Sequence, residues 1–91
     1  MVLTLEEEFV PIIMESLRRE TALIEVKINL VKDEILDFEK KYNISSEEFL
    51  KKFESGELGD AQDFFEWWGL IRGLKKLKER MQQARKVLEY C

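Results

Sequence analysis

Apolar side chains between Val10 and Tyr42 recur at alternating steps of four and three: Val10, Met14, Leu17, Ile24, Ile28, Val31, Ile35, Phe38 and Tyr42, with Thr21 the one polar member of the series. Such steps average 3.5 residues, the heptad signature of a helix that lays one seam against another helix. A straight helix repeats at 3.6, so a strict heptad seam stays on its partner by supercoiling to the left. No Gly or Pro falls between Ile12 and Tyr42. The spacing therefore predicts one unbroken helix over about 11–42, roughly 48 Å long. Leu23, Val26 and Leu30 form a second stripe beside the seam. One neighbouring helix covers one seam, so this stripe predicts apolar surface left over for a partner.

The clearest punctuation is Asn43-Ile44-Ser45-Ser46-Glu47-Glu48-Phe49. Asn tolerates the left-handed conformation that ends helices. Ser45 is placed to cap a second helix, with Glu48 reaching back as a capping box and Ile44 and Phe49 as a hydrophobic staple. That helix, about 46–54, carries Phe49, Leu50 and Phe53 on one side. Gly56 follows where a helix-terminating glycine belongs, and Leu58 is expected to tuck inward. Asp60 is the next candidate N-cap, with Asp63 at the third helical position. A third helix is predicted over about 61–90, where the 4-3 spacing returns at Trp67, Leu70, Leu74, Leu77, Met81, Ala84, Leu88 and Cys91. At the start of the chain Thr4 and Glu7 make another capping-box pattern, with Glu6, Glu7 and Glu8 in a first turn. Pro11 opposes an unbroken helix through that point. The sequence thus predicts either a kink at Pro11 or a lead-in with the regular helix starting there. No internal repeat, low-complexity segment or strand signal is present.

Charge adds a direction to this pattern. Residues 1–66 hold 8 Lys/Arg against 17 Asp/Glu, a net −9, and residues 67–91 hold 7 against 2, a net +5. If the two long helices run antiparallel, Glu15, Glu20 and Glu25 face Lys78, Arg80, Arg85 and Lys86. Each exposed pair contributes only about 0–1 kcal/mol, but together they favour this orientation over a parallel one.

The 91 residues, 37% of them charged, with 4 Gly and 1 Pro, suit a single helical domain, 1–91. Histidine is absent, which removes the commonest general base and the commonest metal ligand. Ser45 therefore has no imidazole to activate it. The one cysteine, Cys91, cannot form an internal disulfide. The acidic runs Glu6-Glu7-Glu8 and Asp60/Asp63/Glu66 are accounted for by helix starts. No catalytic residue, cofactor or metal is predicted, and the chain is not expected to be an enzyme. The N-terminus lacks the basic and apolar regions of a secretory signal, and no run approaches the ~20 apolar residues of a membrane span. A cytoplasmic protein with no membrane contact is expected.

Three features remain as candidate interaction sites. The basic run Arg72, Lys75, Lys76, Lys78, Arg80, Arg85 and Lys86 suggests a nucleic-acid patch, but no recognition motif accompanies it and the overall charge of −4 opposes phosphate. A solvated helix face balanced by the acidic first helix is the better reading, and nucleic acid is an unlikely partner. The cluster Phe64-Phe65-Glu66-Trp67-Trp68 sweeps too wide an arc for one neighbour. Trp67 is expected inside on the seam, and Phe65 and Trp68 outside as interface residues. The same cluster also reads as a plug against Tyr42, Phe49 and Phe53. Gly69 and Gly73 share a face, consistent with a close helix crossing.

The order Tyr42-Asn43-Ile44-Ser45-Ser46-Glu47-Glu48-Phe49, then Gly56-Glu57-Leu58, then Asp63-Phe64-Phe65-Glu66-Trp67, resembles small helical prokaryotic proteins, some of them antitoxin-like members of toxin–antitoxin pairs. The resemblance covers residues 42–68 and departs at Trp68, where a less bulky or polar residue is expected. It implies a non-catalytic protein that binds and neutralises a small toxin. It assigns no functional residue.

The sequence as a whole predicts an all-α, coiled-coil-like hairpin of two long antiparallel helices with a short connecting helix. Because Leu23, Val26 and Leu30, with Ile71 and Val87, stay exposed in a lone hairpin, a homodimer forming a four-helix bundle is expected. The predicted interaction residues are Phe65, Trp68, Gly69, Gly73, Leu23, Val26 and Leu30. The predicted function is protein–protein interaction, possible partners being a second copy or a small toxin. The alternatives are a structural coiled-coil spacer and, less favoured, nucleic-acid binding through residues 72–86.

Overall fold

The computed structural model describes residues 6–90. A 3-10 turn, Glu7–Phe9, leads into α1 (Val10–Tyr42), which is followed by α2 (Ser46–Glu54) and α3 (Gln62–Tyr90). Among the described residues there is no strand, so the all-helical class is as predicted. Pro11 lies in the first turn of α1, where a missing N–H leaves no intrahelical bond unmade. It sits at the helix start and not inside it. Glu7 belongs to the 3-10 turn, Thr4 lies outside the described residues, and α1 is entered from Phe9 with no side-chain cap.

The Asn43 turn forms as its chemistry dictates. Asn43 is left-handed, with φ 55° and ψ 41°. Ser45 Oγ accepts from the Glu48 backbone N–H at 3.2 Å. The reciprocal bond from Glu48 to the Ser45 N–H is not found among the described residues. The Glu48 carboxylate faces Lys52 Nζ at 3.7 Å, and Glu39 Oε2, from the end of α1, accepts from the Ser46 N–H at 2.8 Å. A carboxylate from one helix thereby sits at the positive end of the next. α2 closes with Glu57 N–H on Lys52 O at 3.0 Å and Gly56 N–H on Phe53 O at 3.1 Å. This is the Schellman pair, and it requires the φ of +83° that Gly56 adopts.

The expected capping at the start of the third helix needs correction. α3 begins at Gln62, with Phe64 N–H on Ala61 O at 3.0 Å, and no hydrogen bond of the Asp60 side chain is found among the described residues. Asp63 turns to α1 instead. A lysine ammonium and a phenol there are stronger partners than the amides of its own first turn.

α1 packs along α3, and the pairings run in opposite senses. Glu20 pairs with Arg80, Ile24 and Ile28 cluster with Met81, Ile35 meets Trp67, and Tyr42 reaches Asp63. The core divides in two. A small aliphatic cluster, Ile24, Ile28 and Met81, lies toward one end. A larger cluster around Ile35, Phe49 and Trp67 lies where α2 caps the other end, and Leu74 packs against both. Ile44 and Leu58 join the second cluster, as the staple and turn predict. Ile71 was expected to stay wet, but it is half-buried against the same cluster because α2 folds over that side of α3. The molecule measures 55 × 27 × 19 Å with a radius of gyration of 18.2 Å. A compact chain of this length has a radius near 12 Å. Two long helices side by side cannot enclose a core, so most side chains keep one face in water.

Candidate interaction surface

Leu23, Val26 and Leu30 are 62%, 56% and 59% exposed, as the second stripe predicts. The stripe is longer than expected. Phe9 and Ile12 are also exposed, and with Ser16 and Arg19 between them they hold the same 3-4 register to Leu30. The spacing alone could have revealed them, but the two polar residues interrupt the apolar run. Val87 is exposed on α3, as expected.

The aromatic end divides by burial. Trp67 is fully buried, stacked on Phe49 at 3.9 Å between centroids, and its Nε1–H donates to Ser46 Oγ at 3.1 Å. Tyr42, Phe53 and Phe64 pack around this pair. Phe65 is 53% exposed and touches only the edge of Phe53 among the rings. Trp68 is half-buried. The Arg72 guanidinium lies 4.8 Å from its ring centroid and Phe53 flanks it. Of the two predicted interface aromatics, then, Phe65 presents its ring openly and Trp68 shows only part of its surface.

Gly69 and Gly73 do not mark a close crossing inside the chain. A Cβ built at either meets nothing within 4 Å, so α1 does not approach the α3 backbone closely at these positions. Gly69 instead lines an open groove with Glu34, Asp37, Phe38 and Lys41 of α1 and Glu66 and Leu70 of α3. A second groove along the same junction is lined by Arg19, Glu20, Leu23 and Lys27 of α1 and Leu77 and Arg80 of α3.

One polar cluster ties α1 to α3. Asp63 Oδ2 accepts from Lys41 Nζ at 2.7 Å and from Tyr42 Oη at 2.5 Å. The hydrogen bond from Lys41, joined by that from Tyr42, holds the Asp63 carboxyl below its usual range. The same carboxylate raises the pKa of the Lys41 ammonium and of the Tyr42 phenol. The cluster fastens the two helices through the Asp63 carboxylate.

The basic run does not gather on one face. Arg72 covers Trp68, Arg80 pairs with Glu20, and Lys75 and Lys76 share a groove with Glu54 and Glu79. Lys78 and Arg85 line another beside Glu25. Glu15 pairs within α1, with Arg19 at 3.2 Å, so Glu20–Arg80 is the expected cross-helix pair that forms.

Among the described residues no group of three or more potential metal ligands comes together, and no helix is long and apolar enough to cross a membrane. No protein-family model, curated protein or solved structure matches the chain.

Proposed function

We propose that this chain is a non-catalytic protein–protein interaction module that self-associates through a surface including the exposed apolar residues of α1, most simply as a dimer in which two antiparallel helical hairpins form a four-helix bundle. One observation carries the reading. The chain exposes 7350 Å², against about 5,600 Å² for a compact folded protein of its mass. A stable interface needs about 800 Å² from each partner, and the surplus accommodates it. The surplus is apolar where it matters, at Leu23, Val26 and Leu30. Contiguous apolar surface of this kind marks association sites.

The same surface suits a small protein partner. The resemblance of residues 42–68 to antitoxin-like proteins gives that second reading its content: a toxin helix taking the place of the second copy, in the cytoplasm. A coiled-coil spacer is the structural version of the dimer. Nucleic-acid binding is disfavoured because the basic side chains are interleaved with carboxylates and aromatic rings.

Sedimentation equilibrium at tens of micromolar tests the reading. The expected result is a dimer that Leu30→Asp returns to monomer while the circular dichroism of the helices persists. A wild-type particle of 10.9 kDa at that concentration overturns it.

A further inference from the structure

The two grooves along the α1–α3 junction carry opposite charge, and they sit on the same side of the molecule. On α1, Asp37 and Leu23 are two heptads apart, as are Lys41 and Lys27. On α3, Glu66 and Arg80 are likewise two heptads apart. Residues at that spacing share one edge of a helix. One groove holds Glu34, Asp37 and Glu66 with the single cation Lys41. The other holds Arg19, Lys27 and Arg80 with the single anion Glu20. The face is acidic at the end near α2 and basic at the far end, by equal formal charge.

Midway between them lie Leu30 and Gly73. Leu30 is one heptad from Leu23 and one from Asp37, and Gly73 is one heptad from Glu66 and one from Arg80. Leu30 is exposed, and the α3 surface at Gly73 is open. An apolar centre flanked by equal and opposite charges is complementary to itself when turned end for end.

We infer that the occupant of this face is a second copy of the chain in reversed orientation, related by a two-fold axis near Leu30 and Gly73. The inference rests on the self-association proposed above and specifies its geometry. Reversal sets the acidic groove of each copy over the basic groove of the other, bringing Glu66 to Arg80 and Glu34 to Lys27 across the interface. A two-fold axis along the helices would instead set acid on acid and base on base, which is strongly unfavourable across an interface. Leu30 meets its own counterpart, as an isologous interface requires. The open backbone at Gly69 and Gly73 lets the two α3 helices approach closely.

A distance measurement decides the orientation. A spin label at Arg18→Cys, in a Cys91→Ser background, lies on an exposed position away from the grooves. In the reversed dimer the two labels stand about 36 Å apart along the axis, twelve residues on each side of Leu30. In the parallel dimer only the lateral separation across the two layers remains, about 20 Å. The companion variant Glu34→Lys/Glu66→Lys changes two exposed side chains. It should raise the dimer dissociation constant at least about tenfold with helicity intact. A dimer with the short distance, or one indifferent to this charge reversal, overturns the inference and leaves self-association standing. A monomer overturns both.

Discussion

The indole of Trp67 lies flat on the ring of Phe49, with the planes 7° apart, and both side chains are wholly buried. A face-to-face stack is not the most favourable aromatic geometry. It persists here because Phe38 and Tyr42 stack on Trp67 and Phe53 stacks on Phe49, which leaves neither ring another place to go. Trp67→Ala should cost about 3–5 kcal/mol, as large core truncations do. It also strips Ser46 Oγ of its donor. Urea unfolding followed by circular dichroism measures the loss, and a cost under about 1 kcal/mol would show that this end is not the centre of stability.

Phe65 and Trp68 should respond differently. Phe65→Ala removes an exposed ring and should change stability by no more than about 0.5 kcal/mol, the range of surface substitutions. Trp68→Ala also loses the Arg72 contact, worth about 0.5–1 kcal/mol at an exposed site, and should destabilise more. Parallel unfolding and sizing of the two variants checks the order. If Phe65→Ala weakens association while leaving unfolding unchanged, the ring is an interface residue.

The glycines predict opposite signs for one substitution. Gly69 and Gly73 lie within α3 with open space at Cβ, so Gly→Ala at either should stabilise the fold by about 0.4–1 kcal/mol. Gly56 has φ of +83°, and Gly56→Ala should instead destabilise by about 1 kcal/mol or more, because a Cβ there meets the following carbonyl. Thermal unfolding of the three variants at low concentration, where association is weak, reads the sign directly.

The Lys41–Tyr42–Asp63 cluster makes stability depend on pH at both ends of the scale. The Asp63 pKa is lowered on folding, so its contribution is present above the ordinary carboxylate value of 3.8 and is lost as pH falls through the lower folded value. The Tyr42 and Lys41 pKa values are raised from 10.0 and 10.5. Their contributions are full below those values and are lost as pH rises through the folded ones. The wild-type melting temperature should therefore fall in acid and in strong alkali relative to neutral pH, and Asp63→Asn should flatten both limbs. An unchanged pH profile in Asp63→Asn would assign the dependence to other groups.

Much of this protein is local and was therefore legible in the chain. The three helices, the Asn43 and Ser45 turn, the Gly56 stop and the burial of the 4-3 seam follow from spacing and turn chemistry, whose partners lie within a few residues. The exposure of Leu23, Val26 and Leu30 follows as well, because one neighbouring helix can cover only one stripe. What the tertiary structure decided concerns partners far apart in sequence. Asp63 leaves its expected capping role for Lys41 and Tyr42, Glu39 of α1 takes the Ser46 N–H at the start of α2, and Ile71 is covered by a helix that no periodicity places over it. Gly69 and Gly73 have open space at Cβ where a close helix crossing is expected. The direction in which a helix face points depends on how the helices roll against one another, and periodicity groups residues on a face without saying what that face meets.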